Sequence, residues 1–389
     1  GPASRGLSEP PGWRLVGVSP SRRTGASRPA DSTEAATARA RPGSGYPLWP
    51  ADPLELLAVN RPLRVRLLAL VAATVSIAVP AGCGSGSASH STALATTTTT
   101  AAVATATLPG SGKPPVTIGD KNFTEQFVLG QLYQQALQAQ GFDVVLNQNI
   151  GPTAVTFQAL QSGRLSMYPE YLGTWNTAVA SDQRQYGTAQ SAYAAGQRFA
   201  LAHQLRLMKP TPFSDVDGIA VTVAYANKNR LATIGDLANV QGTLTLGGPP
   251  QFQQIPEGLP AVRQAYGVTP TRYTPVDVGS QYGALDNGTV QAAQVNSTDG
   301  QLQDGGYRLL SDPEHAFGWG NVVPVVPLKV LAAEGPVFGR TLNAVSALLS
   351  TEVIRKLNYD VDLAHQDPAD VAKRFLEDNG LIPTPAPTS

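Results

Sequence analysis

Short apolar segments of strand type alternate with longer segments of helical periodicity from residue 116 onward. The run Val116-Thr117-Ile118 predicts a buried strand, residues 127–137 carry apolar side chains at helical spacing, and residues 143–146 predict a second strand. A predicted helix over residues 153–160 and a predicted strand over 165–168 complete the series. This β-α-β-α-β order predicts a parallel sheet with helices on both faces.

The same alternation returns in the middle of the chain. Predicted strands and helices follow one another at 218–226, 233–236, 244–246, 259–266, 274–278, 282–285 and 291–295. Two further helices, over 337–349 and 368–377, complete the pattern. Two α/β units predict a two-lobed α/β protein. Because ligands of open α/β sheets bind beyond the carboxyl ends of the strands, we expect the binding site in the cleft between the lobes.

Polar residues mark the expected starts of two helices. Asn122 is followed three residues later by Glu125, which is the spacing of a capping box. Asp367 directly precedes Pro368, and these two residue types suit an N-cap and a first helical turn. We therefore expect one helix to begin beside Asn122 and another at Pro368.

The first 83 residues have the composition of a targeting region. Residues 1–58 are rich in Arg, Ser, Ala, Gly and Pro without a hydrophobic period, which predicts a disordered or untranslated extension. Residues 59–83 combine arginines, an apolar run over 67–79 and the sequence Ala81-Gly82-Cys83, which together predict a lipoprotein signal peptide lipidated at Cys83. The alternative is an ordinary secretory signal with an incidental or buried cysteine. Residues 84–114, rich in Ser, Thr and Ala, predict a flexible linker.

Charge and residue counts exclude several classes of protein. Residues 1–66 hold ten of the 28 basic and five of the 28 acidic residues, so the rest of the chain is mildly acidic, which argues against nucleic acid as a partner. Cys83 is the only cysteine and the four histidines lie far apart, so we expect neither a disulfide nor a metal site. No nucleophile elbow or phosphate loop occurs in the sequence. We therefore expect a protein that is not an enzyme and uses no cofactor.

Five ordered motifs carry a resemblance to a known family. They are residues 118–126 (IGDKNFTEQ), 151–163 (GPTAVTFQALQSG), 168–174 (YPEYLGT), 297–300 (STDG), and the pair 357–362 (LNYDVD) with 371–376 (VAKRFL). In these motifs the chain resembles the quaternary-amine-binding proteins of osmoprotectant ABC importers, which take glycine betaine, carnitine or choline. The resemblance runs from about residue 116 to 381, the whole predicted folded part.

The resemblance implies an architecture and partners. The family has a two-lobed periplasmic-binding-protein fold (type II-like), with crossovers expected here near residues 215–218 and 296–299. Residues 115–217 and 298–389 are then lobe 1, and residues 218–297 are lobe 2. The expected partners are a small-molecule solute and the permease and ATPase subunits of an ABC importer. The protein is expected to act outside the cytoplasm as a monomer held to the membrane by its lipid anchor.

The resemblance and the chemistry of the side chains together give the candidate ligand-binding residues Lys121, Asn122, Tyr168, Tyr171, Thr174, Asp217, Asn296 and Trp319. Lys121, Tyr171 and Thr174 fall on ligand-contact positions of the family. Tyr171 is expected to be one wall of an aromatic cage around the quaternary ammonium, and Thr174 a polar contact. The alternative for the aromatic residues, strongest for Tyr168 and the neighbouring Trp175, is a structural role in the core.

Several cage positions depart from the family pattern. The chain has Asp215-Val216-Asp217 and Asn296 where relatives carry tyrosines, and a third cage tyrosine is missing near Trp319. Asp217 can pair with a cation, and its alternative role is that of a hinge or turn residue. We therefore expect a solute-binding protein for a quaternary amine, with selectivity moved toward choline-like cations. The alternative is the same fold binding an uncharged or aromatic solute.

Overall fold

The computed structural model describes residues 107–384. The predictions for residues 1–58, for the signal peptide at 59–83 with Cys83, and for linker residues up to 106 lie outside this range. Between residues 107 and 384, no helix combines the length and apolarity needed to cross a lipid bilayer.

The first elements follow the predicted alternation closely. They are β1 (Val116–Gly119), α1 (Thr124–Ala139), β2 (Val144–Asn147), α2 (Thr153–Gln161) and β3 (Tyr168–Tyr171). Strands β1 and β2 pair in parallel, and Ile118 of β1 forms a single parallel bridge with Met167 just before β3. The parallel arrangement predicted for the first three strands is therefore formed up to Met167.

Beyond Met167 the third strand leaves the parallel arrangement. The helices and strands that follow it are α3 (Leu172–Thr174), which continues as a π-helix (Trp175–Val179), then α4 (Ala189–Ala202) and β4 (Leu205–Leu207). Near the end of the described chain comes β10 (Val322–Pro327), which pairs antiparallel with both β3 and β4. The strand predicted over 165–168 thus lies further toward the C-terminus, at β3. Its main partner, β10, is about 150 residues away in the sequence, so the local sequence pattern does not determine its position.

A five-stranded mixed sheet forms from the middle of the chain. Its strands are β5 (Asp217–Thr222), β6 (Thr245–Gly248), β7 (Arg272–Pro275), β8 (Ala292–Asn296) and β9 (Tyr307–Leu309), in the spatial order β7-β6-β8-β5-β9. Its helical segments are α5 (Val223–Asn229), α6 (Leu259–Tyr266) and α7 (Gln281–Asp286), with short 3₁₀ turns at Ile234–Asn239, Pro250–Gln253 and Gly300–Asp304.

This sheet extends past the expected end of the middle lobe at residue 297. Strand β9 pairs antiparallel with β5, and Leu310 and Phe317 pack into the hydrophobic cluster beside the sheet. A three-residue strand is too short to show periodicity, so the sequence predicted no strand at 307–309 and these residues were expected in lobe 1.

Helices near the C-terminus pack around α1. They are α8 (Leu328–Glu334), α9 (Pro336–Leu348), α10 (Thr351–Asp362) and α11 (Pro368–Asp378). Helix α1 contacts α9, α10 and α11, and their apolar faces form one core together with β1, β2 and Tyr171. Helices α3, α4, α5, α8 and α10 were not predicted as helices, and the strand predicted over 218–226 ends at Thr222, where α5 follows. Asp367 caps α11 as expected, because its side chain accepts a hydrogen bond from the Ala369 amide at 2.8 Å.

The capping box predicted at Asn122 is wrong. Helix α1 begins at Thr124 with Phe123 at the N-cap position, and Asn122 is exposed. Glu125 is instead fully buried and accepts hydrogen bonds from Tyr171 and Asn358. A carboxylate turned into the core cannot also reach back to the helix start.

The two segments that lead into and out of the five-stranded sheet lie side by side. Asp217 at the start of β5 is paired in register with Asn296 at the end of β8. The Ser297 amide donates to the Val216 carbonyl at 2.8 Å, and the Ser297 hydroxyl donates to the Ser214 carbonyl at 3.0 Å. Hydrogen bonds therefore fasten the two connections to each other at the places where the family crossovers were expected.

Candidate functional site

A cavity of about 710 Å³ opens at the two paired connections. Its walls come from the five-stranded sheet region and from the turn after β3, and they include four of the eight candidate residues: Thr174, Asp217, Asn296 and Trp319. A volume of this size is typical of a small-molecule site. The structure thus gathers candidates that are 145 residues apart in the sequence.

Asp217 is one of the charged residues that line this cavity. It is the first residue of β5, it is 8% exposed, and the Gln294 side-chain amide donates a hydrogen bond to its Oδ1. Burial raises the pKa of Asp217 to about 8, and the nearby carboxylates of Asp299 and Glu257 act in the same direction. A cation entering the cavity would oppose both effects and favour the carboxylate form.

Asn296 sits opposite Asp217 and is also nearly buried. Its backbone amide donates to Asp299 Oδ2 at 3.0 Å, and Tyr282 donates its hydroxyl to the same oxygen at 2.9 Å. Asp299 is therefore tied to the end of β8, which fixes the backbone of Asn296 at the cavity wall. The amide side chain of Asn296 can donate to or accept from a solute.

Trp319 and Thr174 belong to the opposite wall. The Trp319 indole donates to the Tyr186 carbonyl at 2.5 Å, and the His315 ring lies against it with ring centres 4.2 Å apart. Thr174 is partly exposed at the junction of α3 and the π-helix, a local geometry that recurs at functional sites. Trp319 is held by its hydrogen bond to a carbonyl 133 residues away, which favours a preformed position on the cavity wall.

The other four candidates lie outside the cavity lining. Asn122 is exposed, whereas Lys121, Tyr168 and Tyr171 are buried. Tyr168 packs in the hydrophobic cluster that contains Trp175, as the structural alternative for both residues anticipated. Tyr171 is fully buried in the core around α1 and donates its hydroxyl to Glu125 Oε1 at 2.8 Å. In this conformation the Tyr171 ring forms no wall of the cavity.

Lys121 has its charge satisfied inside the protein. It is 2% exposed, forms an ion pair with Glu170, and donates to the Thr153 hydroxyl at 3.2 Å. Its ammonium nitrogen lies 4.7 Å from the centre of the Tyr171 ring. This buried arrangement is a cation–π contact within the protein itself.

Sequence reasoning missed three aromatic residues of the cavity. Tyr186, Phe252 and Phe317 line it together with Trp319. Phe252 and Phe317 contact each other with ring centres 6.1 Å apart and belong to the core beside the five-stranded sheet. No motif of the resemblance includes these positions, and the strand and helix patterns around them carry no signal for a site.

An ion pair lies at the rim of the cavity. Arg184 binds Asp182 at 2.5 Å, and the Tyr186 hydroxyl donates to the same carboxylate. The Arg184 guanidinium also lies 5.5 Å from the centre of the Tyr186 ring. Since Arg184 is largely exposed, this pair orders the loop after the π-helix more than it stabilises the fold.

Buried acidic residues surround the paired connections. Burial is the main cause that raises the pKa values of Glu125 and Asp215, and it raises the pKa of Asp299 to about 7. Nearby carboxylates add to the effect, since Glu125 faces Asp215. The raised pKa values mean that these carboxyl groups keep their protons to higher pH than exposed carboxyl groups do.

Comparison with known proteins finds a matching family and related binding proteins. A family model described as the substrate binding domain of ABC-type glycine betaine transport system matches residues 114–378. A glycine-betaine-binding protein of Pseudomonas aeruginosa PAO1 is 30% identical over 276 residues, which cover 68% of this chain and 88% of that protein. The glycine betaine-binding protein YehZ of Escherichia coli K12 is 29% identical over 286 residues, covering 70% of this chain and 93% of the relative.

A solved structure confirms the predicted fold class. The crystal structure of a glycine betaine/carnitine/choline ABC transporter superimposes with a TM-score of 0.65 at 23% sequence identity, and the match covers 68% of this chain and 99% of that one. The described residues therefore adopt the α/β periplasmic-binding-protein fold.

Proposed function

Because the chain belongs to the substrate-binding domain family of ABC-type glycine betaine transport systems, we propose that it captures a small choline-like quaternary amine outside the cytoplasm and delivers it to the permease and ATPase of an importer. The family consists of solute-binding proteins of ABC transporters, not of enzymes. The proposal adds the class of solute and the residues that hold it.

One observation carries the proposal, namely that aromatic side chains and carboxylates line the same cavity. Phe252, Phe317 and Trp319 contribute aromatic surface, and Asp217 and Glu257 contribute carboxylates. A quaternary ammonium donates no hydrogen bonds, so aromatic faces and negative charge are the groups that recognise it. Asp217 also repels a carboxylate placed near it, which favours a cation with an uncharged tail over glycine betaine.

An uncharged solute is the second candidate. Gln281, Gln294 and Asn296 also line the cavity, and their side chains can form hydrogen bonds with hydroxyl or amide groups. A polyhydroxylated or heterocyclic solute would use these groups and would depend little on the charge of Asp217.

Calorimetric titration of the purified protein separates the candidates. We expect choline to bind more tightly than glycine betaine, and Asp217→Asn to weaken choline binding while leaving the fold intact. Asparagine has the same shape as aspartate, so loss of binding reports the charge. Binding of neutral polyols alone would support the second candidate, and no binding of any quaternary amine or polyol would refute both.

We also propose that the protein is attached to the membrane through lipid on Cys83. The arginines at 61, 64 and 66, the apolar run and Ala81-Gly82-Cys83 support this proposal. Expression of wild type and Cys83→Ala followed by membrane fractionation tests it. We expect only the wild type in the membrane fraction; equal membrane binding of both proteins would contradict the lipid anchor.

A further inference from the structure

The ring of Tyr171 already makes a cation–π contact with a side chain of the protein, Lys121. Lys121 Nζ lies 4.7 Å from the Tyr171 ring centre and 5.9 Å from that of Phe123, and Glu170 neutralises its charge. Lys121 and Glu170 are both buried, so neither side chain can turn to solvent without breaking the pair. A second cation on the same ring would meet the Lys121 charge at short range and would be repelled.

Besides Tyr186, whose ring faces the Arg184 guanidinium, three aromatic residues line the cavity. Phe252 and Phe317 form a contacting pair in the core beside the five-stranded sheet, whereas Trp319 belongs to the core that contains Tyr168 and Trp175. The cavity therefore lies between aromatic side chains anchored in two separate hydrophobic cores. Aromatic surface from both cores thus lines the same cavity.

The charges around these three residues favour a cation. Asp217 and Glu257 both line the cavity, and Glu257 is near enough to contribute to the raised pKa of Asp217. Arg184 lines the cavity too, but its charge is balanced by Asp182. Arg184 is thus already paired, and the other basic residue of the described lining is His315.

We infer that the quaternary ammonium of the solute is held by Phe252, Phe317 and Trp319, opposite Asp217 and Glu257. Tyr171 makes its cation–π contact with Lys121 of the protein and takes no part in binding the solute. This inference rests on the proposed function, because it places the cation of that solute. It relocates the cation subsite from the motif at 168–174 to residues that no motif of the resemblance contains.

The test compares choline with its neutral carbon analogue, 3,3-dimethylbutan-1-ol, on the full chain. The two molecules have the same shape and differ in charge, so the ratio of their dissociation constants reports recognition of the cation rather than general packing. We expect Phe317→Leu and Phe252→Leu each to weaken choline binding about tenfold, in line with one lost desolvated cation–π contact, and to leave the analogue nearly unchanged.

Two control variants complete the series. Phe142→Leu makes the same substitution at a buried phenylalanine outside the cavity lining, and we expect it to leave the ratio unchanged. Tyr171→Leu tests the competing assignment, and we expect its ratio to match wild type even where its thermal stability falls. If the ratio of the two dissociation constants is lost in Tyr171→Leu and kept in both cavity variants, this inference is overturned but the proposed function stands. Wild-type protein that binds no quaternary ammonium compound would overturn the proposed function, and this inference with it.

Discussion

We expect Asp217 to make solute binding sensitive to pH. Its pKa is raised to about 8, so at pH 6 the side chain is mostly protonated in the empty protein and must lose a proton to pair with a cation. We expect the affinity for choline to rise as pH increases from 6 to 9, by at most about tenfold per unit below the pKa. Calorimetry at four pH values measures this.

A control variant must separate the proton of Asp217 from those of the other titratable groups in the cavity. Glu257, His315 and Asp182 also line it, and Asp299 lies close enough to raise the pKa of Asp217. In Asp217→Asn the pH dependence should become nearly flat, while 3,3-dimethylbutan-1-ol should show none in either protein. A slope that survives Asp217→Asn would assign the proton to one of these neighbours.

The Lys121–Glu170 pair gives a prediction about stability. Lys121→Met leaves the Glu170 carboxylate buried without its cation, and we expect a loss of about 3–5 kcal/mol in the free energy of unfolding. The double variant Lys121→Met with Glu170→Gln removes both charges and should recover much of that loss. Urea denaturation measures both values, and equal destabilisation of the single and double variants would show that the charges are not coupled.

At the residue scale, four of the eight candidates, Thr174, Asp217, Asn296 and Trp319, line the cavity. Thr174 and Asn296 lie in or beside a family motif, whereas Asp217 and Trp319 were chosen at positions where the family tyrosines are missing. The sequence could not show that Tyr171 lies outside the cavity lining, because its contact with the Lys121 side chain depends on the folded structure. Phe252 and Phe317 were missed because their contact joins positions 65 residues apart.

At the scale of single elements, the cap of α11 offers a direct test. The Asp367 side chain accepts from the Ala369 amide, and α11 packs its buried residues against α1. We expect Asp367→Ala to lower the free energy of unfolding by about 1 kcal/mol, and Asp367→Asn, which keeps a capping oxygen, to change it by a few tenths. Thermal or urea denaturation checks both variants; identical losses would mean that the hydrogen bond contributes nothing.

Elements were predictable where local spacing determines them. Helices α1, α6, α9 and α11 show clear apolar periodicity, and their observed bounds lie within a few residues of the predicted ones. Helix α10 was missed because its polar face dominates its sequence, although Ile354, Leu357 and Asn358 are buried. Strands β9 and β10 depend on partners distant in sequence, and strand preference is mostly a property of such neighbours.

At the scale of the whole molecule, the buried aspartates predict that the folded protein is more stable at low pH than at high pH. The pKa values of Asp120 and Asp299 are raised to about 7 and that of Asp217 to about 8, chiefly by burial. The folded state therefore holds more protons than the unfolded state between pH 4 and 8, and stability falls as pH rises through this window. We expect the free energy of unfolding to be at least about 2 kcal/mol lower at pH 8 than at pH 5.

Asp215 provides the variant that checks this expectation. It is fully buried, and burial together with the neighbouring Glu125 raises its pKa well above the ordinary value. Asp215→Asn keeps the shape and removes one ionisation, so its urea midpoint should change less between pH 5 and pH 8 than that of wild type. A wild-type midpoint that increases with pH would contradict the predicted direction.

The pairing of Asp217 with Asn296 places two cavity residues at the connections where the crossovers between two halves were expected. A solute bound in the cavity as proposed would contact these connections, and we expect any movement between the halves to turn about them. By thermodynamic reciprocity, a change that alters the spacing of these two strands alters solute affinity, and bound solute constrains that spacing by the same free energy. An importer that pulls the halves apart would thereby loosen the solute in the same motion, with no separate release signal.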